Sequence, residues 1–276
     1  MTSELLKNHP RRPSGSTGVY THTADPRFSF CLHVPEESSG SLSGLIVTMH
    51  HSLRNFMECR DAFAGFADEL RLVVLAPLFP INVCGDGNGD GYKYLQEHDI
   101  RYDLLLNDMV DTVADWTGCD VGPFFLEGYS GGAHFAQRYL LLHPRRVRAA
   151  SIGAPGQVTL LDPSLPWHAG LHGIEHRFGQ SLDMAALRGV PLQMVVGELD
   201  TKTDELDHGL EDPELRAASV RSGRNRIERL QTMYRSWTAA GIAVEFGLMP
   251  GVRHGSGSAP AIERARHFFR RCMAAE

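Results

Sequence analysis

Short apolar runs typical of β-strands alternate along this chain with amphipathic segments of helical period, and no other feature of the sequence constrains the fold as strongly. Some runs, such as 45–49 and 72–76, are apolar almost throughout, as expected for strands covered on both faces. The predicted strands are 28–35, 45–49, 72–76, 124–127, 149–153, 192–196 and 243–248. The predicted helices are 55–70, 105–116, 133–142, 225–240 and 259–273. This order predicts an α/β fold with a mostly parallel central sheet and helices on both faces.

Three segments interrupt this alternation. Residues 1–18 are polar and rich in Pro, Gly and Ser, without the apolar core of a signal peptide, and are predicted to be a flexible leader. Residues 84–92 are too rich in Gly, Asp and Asn to be anything but a loop. Residues 157–188 contain prolines, glycines and three spaced histidines, and are predicted to form a short lid or, failing that, a solvated connector. We therefore expect a single domain at 19–276 with a small lid insertion at about 157–188.

The overall composition excludes several classes of protein. The 276 residues are enough for one sizeable domain, and no apolar run approaches the 18 residues that a membrane span requires. The net charge is −6 and no basic cluster is present, so neither a nucleic-acid nor a membrane partner is expected. The five cysteines are scattered, odd in number and without C-x-x-C spacing, which predicts a reduced, cytoplasmic protein without a disulfide framework.

A Gly-x-Ser-x-Gly motif follows the predicted strand at 124–127 and precedes the predicted helix at 133–142. Its central serine is Ser130, flanked by Gly128 and Gly132. A strand–turn–helix of this kind holds a serine on a sharp, strained corner with its hydroxyl exposed. The flanking glycines are expected because strand and helix approach too closely there for side chains.

Two further residues complete a set suited to nucleophilic acyl transfer. Asp200 follows the predicted strand at 192–196, and His254 follows the predicted strand at 243–248. Functional groups of a parallel α/β sheet collect on the loops after the carboxyl ends of its strands. In this arrangement His254 would accept the proton of Ser130, and Asp200 would orient the imidazole and stabilise its charged form.

The chain resembles the α/β-hydrolase-fold serine hydrolases, in their esterase and polyhydroxyalkanoate-depolymerase-like branch, across nearly all of residues 19–273. The resemblance rests on the order Ser…Asp…His, the Gly128 elbow and the runs 30–35, 45–50 and 72–77. It implies an oxyanion hole formed by the backbone N–H of Gly131 and a donor from the loop after the strand at 45–49. Where the family usually has His-Gly and small residues, this chain has His50-His51-Ser52. The second donor is then expected to be His51, with Ser52 next, and the His51 ring is a titratable group beside the site.

The substrate pocket is predicted less directly. His50 has two possible roles, a structural one that ties the oxyanion loop to neighbouring backbone and a substrate contact. Nearby histidines and Arg54 favour a polar or anionic acyl group. His134 is expected to be a packing residue or to lie behind the site. Further candidate substrate-binding residues are Tyr129, Trp167, His168, His172 and Phe178.

Neither a metal nor a cofactor is predicted. His168, His172 and His176 have the i, i+4 spacing of metal ligands on a helix, but Gly170 and Gly173 interrupt that helix. The expected activity is hydrolysis of a small carboxylic ester through an acyl-enzyme, by a monomer or homodimer. Amide, lactam or carbon–carbon bond hydrolysis by the same residues remains an alternative, as does a non-catalytic ligand-binding module on a hydrolase scaffold.

Overall fold

The computed structural model describes residues 13–36, 41–204, 206–207 and 210–274. Within them, eight strands form one sheet in the order β1-β2-β4-β3-β7-β8-β9-β10, and β5 and β6 form a separate hairpin. From β4 to β10 in this order all neighbouring strands are parallel, whereas β2 is antiparallel to both β1 and β4. The expectation of a mostly parallel α/β sheet is confirmed.

The strand bounds follow the apolar runs of the sequence. They are β1 Gly15–Thr21, β2 Ser29–Val34, β3 Gly44–Met49, β4 Leu72–Leu78, β5 Gln96–Glu97, β6 Ile100–Arg101, β7 Phe124–Tyr129, β8 Val147–Gly153, β9 Leu192–Gly197 and β10 Val244–Met249. Every residue of β7 and β9 is buried, as expected for central strands covered on both faces.

Helices cover both faces of this sheet. They are α1 Phe56–Leu70, α2 Tyr102–Thr117, α3 Gly131–Leu142, α4 Ile174–Phe178, α5 Met184–Arg188, α6 Pro213–Ser222, α7 Arg226–Ala239 and α8 Ser258–Ala274. On one face, aromatic residues of α1 and α8 pack against β3, β4 and β7. On the other face, α2, α3 and α7 form the larger part of the core.

The structure differs from the sequence-based expectations in several places. The end of the predicted leader is ordered, because β1 begins at Gly15 and pairs with β2; residues 1–12 lie outside the described residues. Strand β4 does not end before Pro77 but continues to Leu78. At Pro77, β4 pairs only with β2, because its ladder with β3 ends at Leu75. The N–H that a proline lacks is therefore not needed for pairing with β3.

Further differences are elements that were not predicted from the sequence, among them the short helices α4 and α5 within 157–188. The β5–β6 hairpin is too short to show a period in the sequence. Helix α6 has an unremarkable apolar pattern but a clear start signal, because Asp212 accepts hydrogen bonds from the backbone N–H groups of Glu214 and Leu215, and Pro213 is its first residue. The order of the sheet places the carboxyl ends of β3, β7, β9 and β10 along one edge, where the candidate site lies.

Candidate functional site

Ser130 occupies a strained corner between β7 and α3. Its backbone has φ 52° and ψ −115°, a region that residues other than glycine seldom adopt. A Cβ on Gly128 would collide with the carbonyl group of Gly132, and a Cβ on Gly132 would lie 2.5 Å from the carbonyl oxygen of Met49. The steric need for both flanking glycines, expected from the sequence, is thus visible in the surrounding backbone.

A continuous chain of hydrogen bonds joins Ser130, His254 and Asp200. Ser130 Oγ lies 3.0 Å from His254 Nε2, and His254 Nδ1 lies 2.8 Å from Asp200 Oδ2. Because a carboxylate only accepts, Nδ1 carries the proton, which leaves Nε2 to accept from the serine hydroxyl. The three residues lie on loops after β7, β10 and β9, as the sequence predicted.

Tyr129 holds the histidine in place. Its hydroxyl donates to the backbone oxygen of His254 at 2.9 Å, and its ring stacks on the imidazole with 5.4 Å between ring centroids. Any side chain at Gly257 would overlap the Tyr129 hydroxyl, so the close approach requires glycine there. Tyr129 also lines the cavity in front of Ser130, where the sequence analysis expected it.

Arg226 is a site residue that the sequence analysis missed. It lies at the start of α7 and is buried, with Nη1 3.4 Å from Asp200 Oδ1. The carboxylate therefore contacts imidazole through one oxygen and a guanidinium through the other, which supports its buried negative charge. No motif marks this arginine; Asn225, which accepts from the N–H of Glu228, marks only the helix start.

The loop after β3 holds the two candidate second oxyanion donors. The backbone N–H of His51 donates to Asn55 Oδ1 at 3.0 Å, so it is already engaged. The backbone nitrogen of Ser52 faces Gly131 and lies 2.7 Å from where a Cβ on that glycine would stand. Of the two residues predicted from the sequence, Ser52 is the one whose backbone nitrogen lies beside Gly131.

The histidines of this loop are neutral. Burial lowers the pKa of His50 to about 3, and its ring donates from Nδ1 to His51 O at 2.8 Å and accepts the N–H of Phe79 at 3.1 Å. His50 is wholly buried behind the cavity, which agrees with the structural role and not with a substrate contact. Burial, followed by the charge of His254, lowers the pKa of His51 to about 4, so this ring is uncharged near neutral pH.

Arg54 does not act as an anion-binding group at the mouth of the site. Its guanidinium donates to the carbonyl oxygens of Phe79, Ser52 and Gly89, and it lies over the Tyr92 ring at 5.0 Å. These contacts tie the loop after β3 to the Gly-rich loop at 84–92. The expectation of an anionic acyl group therefore loses this support.

A cavity of about 400 Å³ opens in front of Ser130 and His254. Gly131, His51 and Ser52 line it, as expected. Residues that the sequence analysis did not assign to the pocket contribute much of the remaining wall: Asp90, Lys93, Tyr94, His134, Gln157 and Arg226. They come from the Gly-rich loop and the turn directly after it, from the first turns of α3 and α7, and from the segment after β8, which only the folded chain brings together.

The insertion at 157–188 contributes differently from the expected lid. Trp167 and Phe178 are buried against each other, edge to face, with 5.1 Å between ring centroids, and do not line the cavity. His168 lies behind the wall, where it stacks on Tyr94 at 3.9 Å. His172 is exposed on the outside. These four side chains lie behind the cavity wall or on the surface, because hydrogen bonds from Gln137 and Arg138 of α3 hold the start of the segment against that helix.

Charges within the cavity are paired. Lys93 Nζ contacts Asp90 Oδ1 at 2.6 Å, and Arg226 contacts Asp200. His134 is uncharged, since burial and the nearby Arg138 hold its pKa far below the usual range. Its Nε2 accepts the N–H of Gly156 at 2.9 Å, so Nδ1 carries the proton. That Nδ1 is buried and has no hydrogen-bond partner among the residues that the structure describes.

A serine on a strained strand–helix corner, hydrogen-bonded through histidine to a buried aspartate above a mostly parallel sheet, defines an α/β-hydrolase fold. Solved structures similar to this chain agree. Poly(aspartic acid) hydrolase-1 from Sphingomonas sp. KT-1 is 20% identical, with a TM-score of 0.72 over 92% of this chain and 98% of that one. The LpqC poly(3-hydroxybutyrate) depolymerase from Bordetella parapertussis is 21% identical, with a TM-score of 0.73 over 93% of this chain and 89% of that one.

An S-formylglutathione hydrolase from Agrobacterium tumefaciens is more distant, at 17% identity and a TM-score of 0.59 over 94% of this chain and 95% of that one. No protein-family model matches the chain, and no curated protein matches it. The α/β-hydrolase fold expected from the sequence is confirmed. None of the helices within the described residues is long and apolar enough to cross a bilayer.

Proposed function

We propose that this protein is a serine hydrolase that cleaves a small carboxylic ester through an acyl-enzyme intermediate. The observation that carries the proposal is the chain of hydrogen bonds from Ser130 Oγ through His254 to buried Asp200, at 3.0 and 2.8 Å. These are the contacts that activate a serine hydroxyl, which is a weak nucleophile by itself. The names of similar solved structures, which include a depolymerase and esterases, support the same class of reaction.

In the proposed reaction, Ser130 Oγ attacks the ester carbonyl as His254 Nε2 takes the hydroxyl proton. The N–H groups of Gly131 and Ser52 donate to the oxyanion of the tetrahedral intermediate. As the intermediate collapses, His254 returns the proton to the departing alcohol, and the acyl group stays on Ser130. A water molecule then attacks the acyl-enzyme and gives its proton to His254, which returns that proton to Ser130 Oγ as the acid is released.

The cavity supports an uncharged, polar substrate. Its volume of about 400 Å³ lies at the lower end of the range for small-molecule sites. Lys93 and Arg226 face acidic partners, so neither offers an unpaired charge to an anionic acyl group. We therefore infer that the acyl group of the substrate carries no charge.

The test combines labelling with turnover. A fluorophosphonate probe should form one adduct, mapped to Ser130, and the label should be lost in Ser130→Ala and His254→Ala. Ser130→Ala should retain less than about a thousandth of the turnover on short-chain esters. Ser256→Ala, which changes an exposed serine of the same loop as His254, is the matched control and should label normally.

Absence of an adduct on folded wild-type protein would overturn the proposal in favour of a ligand-binding module. Faster cleavage of a matched anilide than of the ester would identify amide hydrolysis as the main reaction. Efficient cleavage of a β-diketone, with little esterase activity, would instead identify carbon–carbon bond hydrolysis.

A further inference from the structure

Away from Ser130, three residues of different metal-binding types meet at the base of the Gly-rich loop. Cys84 Sγ, a carboxylate oxygen of Glu97 and a ring nitrogen of His98 all lie within 4.8 Å of one another. Cys84 belongs to the loop, Glu97 ends β5, and His98 lies in the turn of the β5–β6 hairpin. Glu97 and His98 follow Cys84 by 13 and 14 residues, a spacing that matches no common metal-binding motif. Only the fold therefore brings the three residues together.

Glu97 supplies an independent sign that the site takes a cation. The residue is 7% exposed, and its Oε2 accepts a hydrogen bond from the Tyr102 hydroxyl at 2.5 Å. Its Oε1 is buried and has no hydrogen-bond partner in the described part of the chain. A buried carboxylate oxygen without a donor is costly, and such groups are normally paired or bound to a metal.

The surrounding backbone leaves room for this carboxylate. A Cβ at position 91 would overlap the Glu97 carboxyl group, so only glycine permits its burial there. Any residue larger than glycine at position 91 would therefore displace the Glu97 carboxyl group from its buried position.

The His98 ring is also set as a metal ligand would be. Its Nε2 lies 3.1 Å from Asp86 Oδ2, and contacts between carboxylate and imidazole commonly orient metal-bound histidines. The His98 side chain is 63% exposed, so the ring can turn towards the other two ligands without disturbing the core. Arg27, a cation close to Cys84, also pairs with Asp25 at 2.6 Å, so a carboxylate outside the cluster shares its charge.

We propose that Cys84, Glu97 and His98 form a binding site for a divalent transition-metal ion of the zinc type. Thiolate, imidazole and carboxylate together suit zinc, with water as the fourth ligand. Bonds of 2.0–2.3 Å would place the ligand atoms roughly 3.3–3.8 Å apart, so the cluster needs to contract by at most about 1.5 Å. On binding, the Cys84 S–H bond breaks, its proton goes to solvent and the sulfur binds the ion, without any change in oxidation state.

Cobalt(II) is the probe for this site, because its spectrum reports thiolate coordination. Titration of the reduced, metal-free protein with Co²⁺ should produce a near-ultraviolet thiolate-to-cobalt band and intense visible bands that saturate at one equivalent. Zn²⁺ should remove these bands by displacement. Cys84→Ser should abolish the near-ultraviolet band, and Glu97→Gln should weaken Co²⁺ binding at least tenfold while keeping the acceptor for Tyr102.

Cys272→Ser is the matched control, since Cys272 is also half-buried but lies on α8. This variant should bind cobalt as the wild type does. A wild-type titration without a thiolate band, or a band that survives Cys84→Ser and disappears in Cys272→Ser, would overturn the proposal. Ester turnover is not the readout, so the result is independent of the proposed function.

Discussion

Glu127 gives a test of the core beneath the site that does not depend on any substrate. The residue is on β7, three positions before Ser130, and is 3% exposed. Burial raises its pKa from 4.5 to about 7, although the Thr48 hydroxyl, which donates to Oε2 at 2.7 Å from the adjacent β3, opposes the shift. Folded protein therefore holds a proton on this carboxyl at pH values where the unfolded chain has released it.

The direction of the effect follows from that difference. The folded state binds more protons between about pH 4.5 and pH 7, so the free energy of unfolding falls as the pH rises through this window and then levels off. The two pKa values differ by about 2.5, and at about 1.4 kcal/mol for each the total is roughly 3 kcal/mol. Between pH 5 and pH 8 we expect about 2–3 kcal/mol of this loss.

The perturbation is Glu127→Gln, which keeps the shape of the side chain and an oxygen that accepts from Thr48 but removes the titration. The assay is urea unfolding of wild type and variant at intervals from pH 5 to pH 8. The variant should gain about 2–3 kcal/mol on the wild type across this range. Glu175→Gln, at an exposed site on α4, should follow the wild type. Parallel curves for wild type and Glu127→Gln would refute the reasoning, since they would mean that the carboxyl titrates alike in both states.

Three further changes test the site. Gly131→Ala puts a methyl group between the proposed oxyanion donors and should lower kcat in an esterase assay about 10²–10³-fold. Gly122→Ala is the control and should leave kcat unchanged, because a Cβ there meets nothing within 4 Å. Arg226→Met removes one partner of Asp200 and should lower kcat by roughly 10–100-fold, with partial recovery in Arg226→Lys; an unchanged kcat would show that Asp200 does not need this contact. His134→Phe removes the acceptor of two backbone N–H groups and should cost about 1–3 kcal/mol in urea unfolding. Unchanged unfolding in this variant would show that the two N–H groups do not depend on the His134 ring.

Much of the fold could be predicted because its signals are local. The apolar run of β3 and the regularly spaced apolar residues of α1 mark the positions that are buried. Residue type indicates burial, so both elements can be predicted from the sequence. The elbow at Ser130 could be predicted for a similar reason, since only glycine fits on either side of it. Strand β1 was not predicted because none of its residues is buried and most are polar or small, so its place is decided by pairing with β2.

The candidate pocket could be predicted only in part. Tyr129 was found because it adjoins the elbow, but Trp167, His168, His172 and Phe178 were assigned to the pocket on their position in an irregular segment. Distance from the motif along the chain says nothing about which side of a packed segment faces a cavity. Their side chains support the wall or face outwards, whereas the wall itself is built from other elements.

The sequence by itself determined the strand and helix order, the sharp corner at Ser130 and the candidate Ser–Asp–His order, because each is set by neighbouring residues and local sterics. The tertiary structure alone decided the contact of Arg226 with Asp200, the unpartnered N–H of His134 and the meeting of Cys84, Glu97 and His98. These contacts depend on packing between segments that are distant in sequence. The neighbours, burial and hydrogen-bond partners of each side chain are set by proximity in three dimensions, and no periodicity or spacing in the sequence indicates them.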